Sequence, residues 1–351
     1  MSSKTFLKPS IFGKAPSGKR LERIKQSPNY RNNAFQNQSV TPDLTDGATY
    51  FSVVKDMLFK KDKRREPDFE IPSLKTDLLS LNPNENVLIW FGHSSYFMQI
   101  DGKKFLVDPV LSGNASPVSF TTKAFKGSDN YNVEDLPFID YLIITHDHYD
   151  HLDYKTILKL KTKVAHIITS LGTGEHLEHW GYNPNSISET DWYETLQLSD
   201  GFTLHATPSR HFSGRGLKRN QALWTSFVLQ TPSLRIFIGG DSGYDKHFAE
   251  IGNMHGPFDL AILENGQYNK NWKHIHLLPD EILQAAIDLK TKKLLPVHSS
   301  KFALALHAWD EPLEKLMLSN LKVNLPILTP MIGETVNLLD EQQVFQTWWR
   351  K

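Results

Sequence analysis

The chain of 351 residues contains no cysteine, which excludes disulfides, thiolate metal ligands and a cysteine nucleophile. It also lacks an excess of charge of either sign. Lys+Arg and Asp+Glu both number 39, so the overall balance draws the protein to no polyanion and no nucleic-acid partner is expected. No run reaches the ~18 apolar residues of a membrane span. The opening "MSSKTFLKPSIFGKAPSGKR" has no continuous apolar stretch of the secretory kind. A cytoplasmic protein is the expectation. What is present is enough for a sizeable core: 39% of residues are hydrophobic and 11% aromatic, which excludes global disorder.

Residues 1–80 are rich in Lys, Asn, Pro and Ser and predict an extended arm with one amphipathic helix, packed on a main domain over 81–351. The helix is "YFSVVKDMLFKKDKRRE", with Phe51, Val54, Met57 and Leu58 on one face and a basic end from Lys60 to Arg65. Packing on the body is the plainer role for it. Contact with anionic lipid headgroups, a peripheral membrane association, is the sharper one. From about residue 85 strands dominate, among them "NVLIWFG", "SYFMQI", "KKFLVD", "DYLIIT", "KVAHIIT", "TLHATPS", "LRIFIGG", "DLAILEN" and "KLLPVH". Helical spacing returns at 172–180, in "LPDEILQAAIDLKTK" and in "EPLEKLMLSNL". Many strands with interleaved helices predict a layered sheet-and-helix domain of the α+β class.

The chemistry concentrates where strands end. "THDHYDH" follows "YLII" and places His146 and His148 two residues apart, so both can face one ion, while Asp150 and His151 face a second. His211 in "TPSRHFSG", Asp241 in "IGGDSGY" and His298 in "LLPVHSS" each emerge from an apolar run. Singly, each is an ordinary structural polar residue. Together they supply enough imidazoles and carboxylates for two ions with one carboxylate shared. Ser242, after Asp241, lacks the Gly-x-Ser-x-Gly context of a serine nucleophile.

The His-x-His-x-Asp-His run at 146–151 resembles the signature of the metallo-β-lactamase superfamily. The ordered set "WFGHSSYFMQIDGKKFLVDPVLSGNASP", "DHYDHLDY", "ETDWYE", "TPSRHFSGR", "GGDSGY", "GPFDLA" and "PVHSSKFALA" resembles the N-acyl-phosphatidylethanolamine-hydrolysing phospholipase D family and its bacterial relatives, across roughly residues 40–340. The resemblance implies an αββα four-layer sandwich with two metal ions at one edge of the sheets. It implies that His146, His148 and His211 hold one ion and that Asp150, His151 and His298 hold the other, with Asp241 bridging. His276 in "HIHLLPDE" would stand over the substrate phosphate as a positioning group or proton donor. Tyr268 and Trp272 would lie on the substrate side and His93 would support the ligands. By their place just beyond the His298 strand, His307 and Trp309 are expected within reach of the cleft rim, His307 on the substrate side, with core packing the plainer role for Trp309. One segment departs from the family: "NGQYNKNWKHIH" keeps Tyr268 and Trp272 but lacks the Pro and Arg found there.

The imidazole and carboxylate donor set suits Zn²⁺ best, with Mn²⁺ or Fe²⁺ as alternatives. Two divalent ions outweigh two carboxylates, so the assembled site favours an anionic substrate. The expected activity is hydrolysis of a phosphodiester in an N-acylated glycerophospholipid, giving an N-acylethanolamine and phosphatidic acid. A sugar-phosphate lactonase, as in ascorbate-6-phosphate lactonase relatives, is the second reading, and a metal-binding protein without turnover the third. A homodimer is compatible with the sequence.

Overall fold

Alternation along the strands sorts side chains onto the two faces of each sheet. In Tyr96–Ile100, the residues Tyr96, Met98 and Ile100 join the apolar layer between the sheets, while Phe97 joins the layer beneath helices. Ile139–Ile144 does the same, sending Tyr141 and Ile143 one way and Leu142 and Ile144 the other. In the facing sheet Ile236 and Ile238 point inward and Phe237 outward. Both faces of these strands are buried, which is why their sequences read as nearly continuous apolar runs.

The computed structural model describes residues 9–60 and 62–350. Lys61 of the basic cluster and the first eight residues lie outside the described residues. The N-terminal part forms helices α1 (Gly18–Gln26) and α2 (Tyr50–Phe59) with a small hairpin between them, Tyr30–Arg31 against Ala34–Phe35. A seven-stranded sheet follows. Its spatial order is Thr335–Asn337, Val87–Trp90, Tyr96–Ile100, Lys103–Val107, Ile139–Ile144, Val164–Ser170, Ile187–Thr190. The last three neighbour pairs are parallel and the first three antiparallel. The six-stranded sheet runs Leu294–Val297, Leu260–Glu264, Arg235–Ile238, Thr225–Gln230, Thr203–Pro208, Thr195–Gln197. Helices α3 (Tyr154–Leu160) and α4 (Gly174–His179) cover the larger sheet. Helices α5 (His247–His255), α6 (Glu281–Asp288) and α7 (Glu311–Asn320) cover the smaller one. The architecture is an αββα four-layer sandwich. Asp101-Gly102 makes the hairpin turn its sequence signals, both residues having positive φ (47° and 78°).

The N-terminal region differs from its sequence reading in two ways. It holds a second helix, α1, unmarked in the sequence because its only buried residue is Ile24. Charge holds α1 instead: Arg20 bonds to Glu175, Glu178 and Glu189. Ile24 and Phe35 complete an apolar cluster with Leu171, Trp192, Leu223 and Trp224. Phe35→Ala should therefore lower unfolding free energy by roughly 3–5 kcal/mol, read from the midpoint of urea unfolding. A change under about 1 kcal/mol, the size of a surface substitution, would make this arm peripheral to the fold.

The second difference concerns α2. It ends at Phe59, and its expected packed face is largely in solvent: Phe51 is 80% exposed and Leu58 64%. The basic end is partly engaged. Lys60 pairs with Asp56 (2.8 Å) and Arg64 with Asp310 (2.7 Å), and Arg65 donates to the carbonyls of Ala303 and Ala305.

Candidate metal centre

Each proposed ligand sits just past the C-terminal end of a strand. His146–His151 follows Ile139–Ile144, His211 follows Thr203–Pro208, Asp241 follows Arg235–Ile238 and His298 follows Leu294–Val297. Gly240 adopts φ +60°, and a Cβ there would come within 2.9 Å of the Thr145 side chain, so the turn that aims Asp241 requires glycine. His93 and His298 also have positive φ (52° and 66°). Their loops interlock: the His298 N–H donates to the His93 carbonyl, and the His93 N–H donates to the Ser299 carbonyl. Left-handed backbone at non-glycine residues is held only where surrounding structure compensates it.

The side chains converge as two connected groups. His146 Nε2 lies 2.9 Å from His148 Nδ1, and His211 Nε2 lies 3.2 Å from the same atom. His151 Nε2 stands 3.7 Å from Asp150 Oδ2. Asp241 lies between the groups: its Oδ2 is 3.8 Å from His146 Nε2, 3.7 Å from His211 Nε2 and 3.2 Å from His151 Nε2, and its Oδ1 is 3.2 Å from His298 Nδ1.

The outward hydrogen bonds decide which ring nitrogens remain as acceptors. His211 Nδ1 faces the Ile275 carbonyl (2.8 Å), which can only accept, so the proton sits there and Nε2 carries a lone pair. His151 Nδ1 faces Asp108 Oδ2 (2.8 Å), and its Nε2 is buried without a hydrogen-bond partner. Thr145 donates its hydroxyl to Asp108, so its oxygen accepts from His146 Nδ1 and leaves His146 Nε2 bare. Asp241 Oδ1 is a further buried oxygen without a hydrogen bond. Lone pairs thus point at one another across the centre, an arrangement suited to cations and costly without them. The donor set fits metal: His146, His148 and His211 form one group, Asp150, His151 and His298 gather with His93 in another, and Asp241 stands with His146 and His151.

The electrostatics agree. Burial holds the pKa values of His146, His211 and His298 well below the imidazole range and lowers that of His148 to about 4, so these rings are neutral, the ligating form. Burial also raises Asp241 to about 6. His151 is the exception. Burial opposes its charging, yet Asp241, Asp150 and Asp108 outweigh it and hold its pKa well above the usual value. Without metal, that proton is the positive charge the carboxylates retain.

The other expected residues divide. His93 is fully buried and bonds Asp150 Oδ2 (2.9 Å) beneath the ligands. His276 packs edge-on to His211, with centroids 5.1 Å apart, stacks on His298 and lines the cavity, as does Trp272. Tyr268 and His307 do not line it. They stack on each other behind Gln267, with Tyr268 bonded to Glu311 and His307 accepting the Gln267 N–H. Their contacts buttress that loop. Trp309 is in the core.

Three supporting groups escaped the sequence reading. Asp108 holds both His151 and Thr145. Glu264 accepts from the Ser242 and Leu277 N–H groups and contacts His276 Nδ1 at 2.5 Å. Burial raises the Glu264 pKa well above the carboxylate range and lowers that of His276, so the pair favours one shared proton over an ion pair. Arg215, buried against the Tyr149 ring, donates to the carbonyls of Asp147 and Leu152 and so brackets the ligand loop. Each lies in an apolar or loop context with no spacing signal. Only Asp108, which stands between an apolar run and a proline, has a hint of position.

Above the ligands is a cavity of about 310 Å³. His148, Asp150, His211, Asp241, His276 and His298 form its polar end. Leu44, Val53, Met57, Phe212, Ile275 and Leu304 form apolar walls, so α2 supplies one side.

This αββα sandwich carries at its strand ends a His/Asp donor set that could hold metal, and its relatives support a metal-dependent hydrolase. A family model described as the beta-lactamase superfamily domain matches residues 103–299, and the chain belongs to that superfamily. Over 330 residues it is 36% identical to an uncharacterized protein of Mycobacterium tuberculosis, covering 93% of this chain and 88% of that one. Over 285 residues it is 29% identical to the N-acyl-phosphatidylethanolamine-hydrolyzing phospholipase D 1 of Caenorhabditis elegans, covering 74% and 80%. The solved isothiocyanate hydrolase from Delia radicum gut bacteria has the same fold, with a TM-score of 0.58 at 21% identity over 71% of this chain and 98% of that one.

Proposed function

We propose that the protein is a dinuclear zinc phosphodiesterase of the phospholipase D type, cleaving an N-acylated glycerophospholipid to an N-acylethanolamine and phosphatidic acid. The observation that carries this reading is the cavity, with a cation-ready floor and apolar walls that suit a phosphate bearing acyl chains. The similarity to the C. elegans phospholipase D supports it. When bound, the two ions supply an activated water and polarise the phosphoryl oxygen. The chain's own residues position everything else. Asp241 and Asp150 neutralise part of the charge, the apolar walls exclude bulk water, and His276, braced by Glu264, faces the phosphate and hands a proton to the leaving oxygen. A sugar-phosphate lactonase fits less well, because a polar sugar gains nothing from walls of leucine, valine and methionine. The test is a panel of N-acyl-phosphatidylethanolamines of varied chain length beside a sugar-phosphate lactone, with zinc-loaded protein. Release of N-acylethanolamine that depends on chain length is expected. Lactone opening without phosphodiester cleavage would overturn the reading.

The same reading assigns α2 to a lipid surface. Among the described residues no helix is long and apolar enough to cross a membrane. Phe51, Val54, Leu58 and Phe59 nevertheless project into solvent on a helix whose other side, Val53 and Met57, lines the cavity. That continuity would let an acyl chain pass from bilayer to site. Because Arg64 and Arg65 are engaged, the apolar residues, more than the basic ones, are expected to carry membrane binding. Phe51→Ser, Leu58→Ser and Phe59→Ser together should abolish co-sedimentation with liposomes while sparing hydrolysis of bis-p-nitrophenyl phosphate. Unchanged liposome binding, with loss of a solution dimer, would assign this face to a homodimer instead.

A further inference from the structure

Arg219 lies on the segment between His211 and the strand Thr225–Gln230, and no other lysine or arginine lines the metal cavity among the described residues. Its guanidinium carbon stands 3.8 Å from the centre of the Phe212 ring. Phe212 in turn packs edge-on to His148, with centroids 4.4 Å apart, and lies 4.8 Å from His211. One aromatic ring therefore separates this cation from two metal-ligating histidines. Its counter-charge comes from the N-terminal arm: Arg219 Nη1 is 2.8 Å from Asp43 Oδ2, and Asp43 also accepts from the Tyr50 hydroxyl at 2.8 Å. Both members of the pair line the cavity, and their side chains are 37% and 54% exposed.

An ion pair this open to water contributes little to stability, so its presence at the mouth of the site needs another reason. A guanidinium stacked on an aromatic ring keeps its edge free for planar anions, which it binds through two parallel hydrogen bonds. A carboxylate occupies that edge here, showing the chemistry the position accepts. We propose that Arg219 is the anion anchor of the cavity. It binds a carboxylate or phosphate of the substrate other than the ester at the metals, and Asp43 is the internal occupant exchanged for it. The proposal rests on the phosphodiester reading for the bond that is cleaved, and it adds a preference: a diester with a second negative charge opens the Arg219–Asp43 pair, whereas an N-acyl-phosphatidylethanolamine, charged only at the ester itself, leaves the pair closed.

The two partners should act with opposite sign. With zinc-loaded protein and p-nitrophenyl alkyl phosphates that do or do not end in a carboxylate, Arg219→Gln should raise KM for the carboxylated ester by about 10-fold or more, the loss expected for a charged hydrogen bond. It should raise KM for the plain ester much less, and kcat should change little. Arg219→Lys should recover part of the preference. Asp43→Asn should lower KM for the carboxylated ester, because the competitor is gone. If both variants raise KM, or if the two esters respond alike, the pair is a strap for the N-terminal arm and the proposal falls. If the wild type cleaves neither ester, the phosphodiester reading fails by itself. The anchor is then read by calorimetry with the matching non-hydrolysable phosphonates. The same order of affinities supports it, and equal affinity in all variants overturns it.

Discussion

Asp241→Asn should abolish turnover and reduce bound metal, and of all single ligand changes it should do the most damage. The two oxygens of Asp241 face both ligand groups, with His146, His151 and His211 around Oδ2 and His298 beside Oδ1. The amide keeps the shape but removes the charge, and it turns an NH₂ group towards nitrogens that already present lone pairs. Replacing a group that only supports a ligand typically costs 10–100-fold in metal affinity. Asp108→Asn, which weakens the hold on His151, should fall in that range. Asp241→Asn should exceed it, by more than ~10²-fold, because both ligand groups lose the shared negative charge and one of its two oxygen donors becomes an NH₂. The measurements are metal content after dialysis and activity restored by added zinc. Chelation of the wild type should remove all activity and metal addition should return it. A fully active metal-free preparation would sink the assignment of the centre.

Legibility followed the physics of each signal. The His/Asp cluster was readable because a strand end marks a side chain's exit and because paired histidines at i and i+2 have little structural use. The layered fold was readable because apolar runs buried on both faces stand out. Glu264 was not. It ends an apolar strand, looks like a residue leaving the core, and gains its role only when the loop of Ser242 and Leu277 folds over it. Arg215 was hidden for a similar reason, since a buried arginine is recognisable only by the carbonyls it meets. Helix α2 was found, but its orientation was not. A helix apolar around most of its circumference has no single face to bury, and the sequence alone could not tell cavity wall from outer surface.

His276→Ala should lower kcat by ~10²–10⁴-fold, the usual contribution of a general acid or base, and leave both metal ions in place. The ring stands beside Asp241, Glu264 and His298 with ligand atoms within 4.8 Å, so position alone would also allow it to bind metal. The close contact of its Nδ1 with Glu264 argues otherwise. That nitrogen is committed to a carboxylate fixed by two backbone N–H groups, and the ring's other nitrogen is free to meet a substrate oxygen. Glu264→Gln therefore supplies the graded control. The amide can still hold the ring, but it offers no negative charge when His276 becomes protonated. Its loss in kcat should be smaller than that of His276→Ala, with KM nearly unchanged. In the double variant the Glu264 change should have no further effect, because a brace without its ring has nothing to orient. Loss of one ion in His276→Ala would make the histidine a ligand. Additive losses in the double variant would separate Glu264 from His276 and leave the carboxylate a role in holding the Ser242 loop alone.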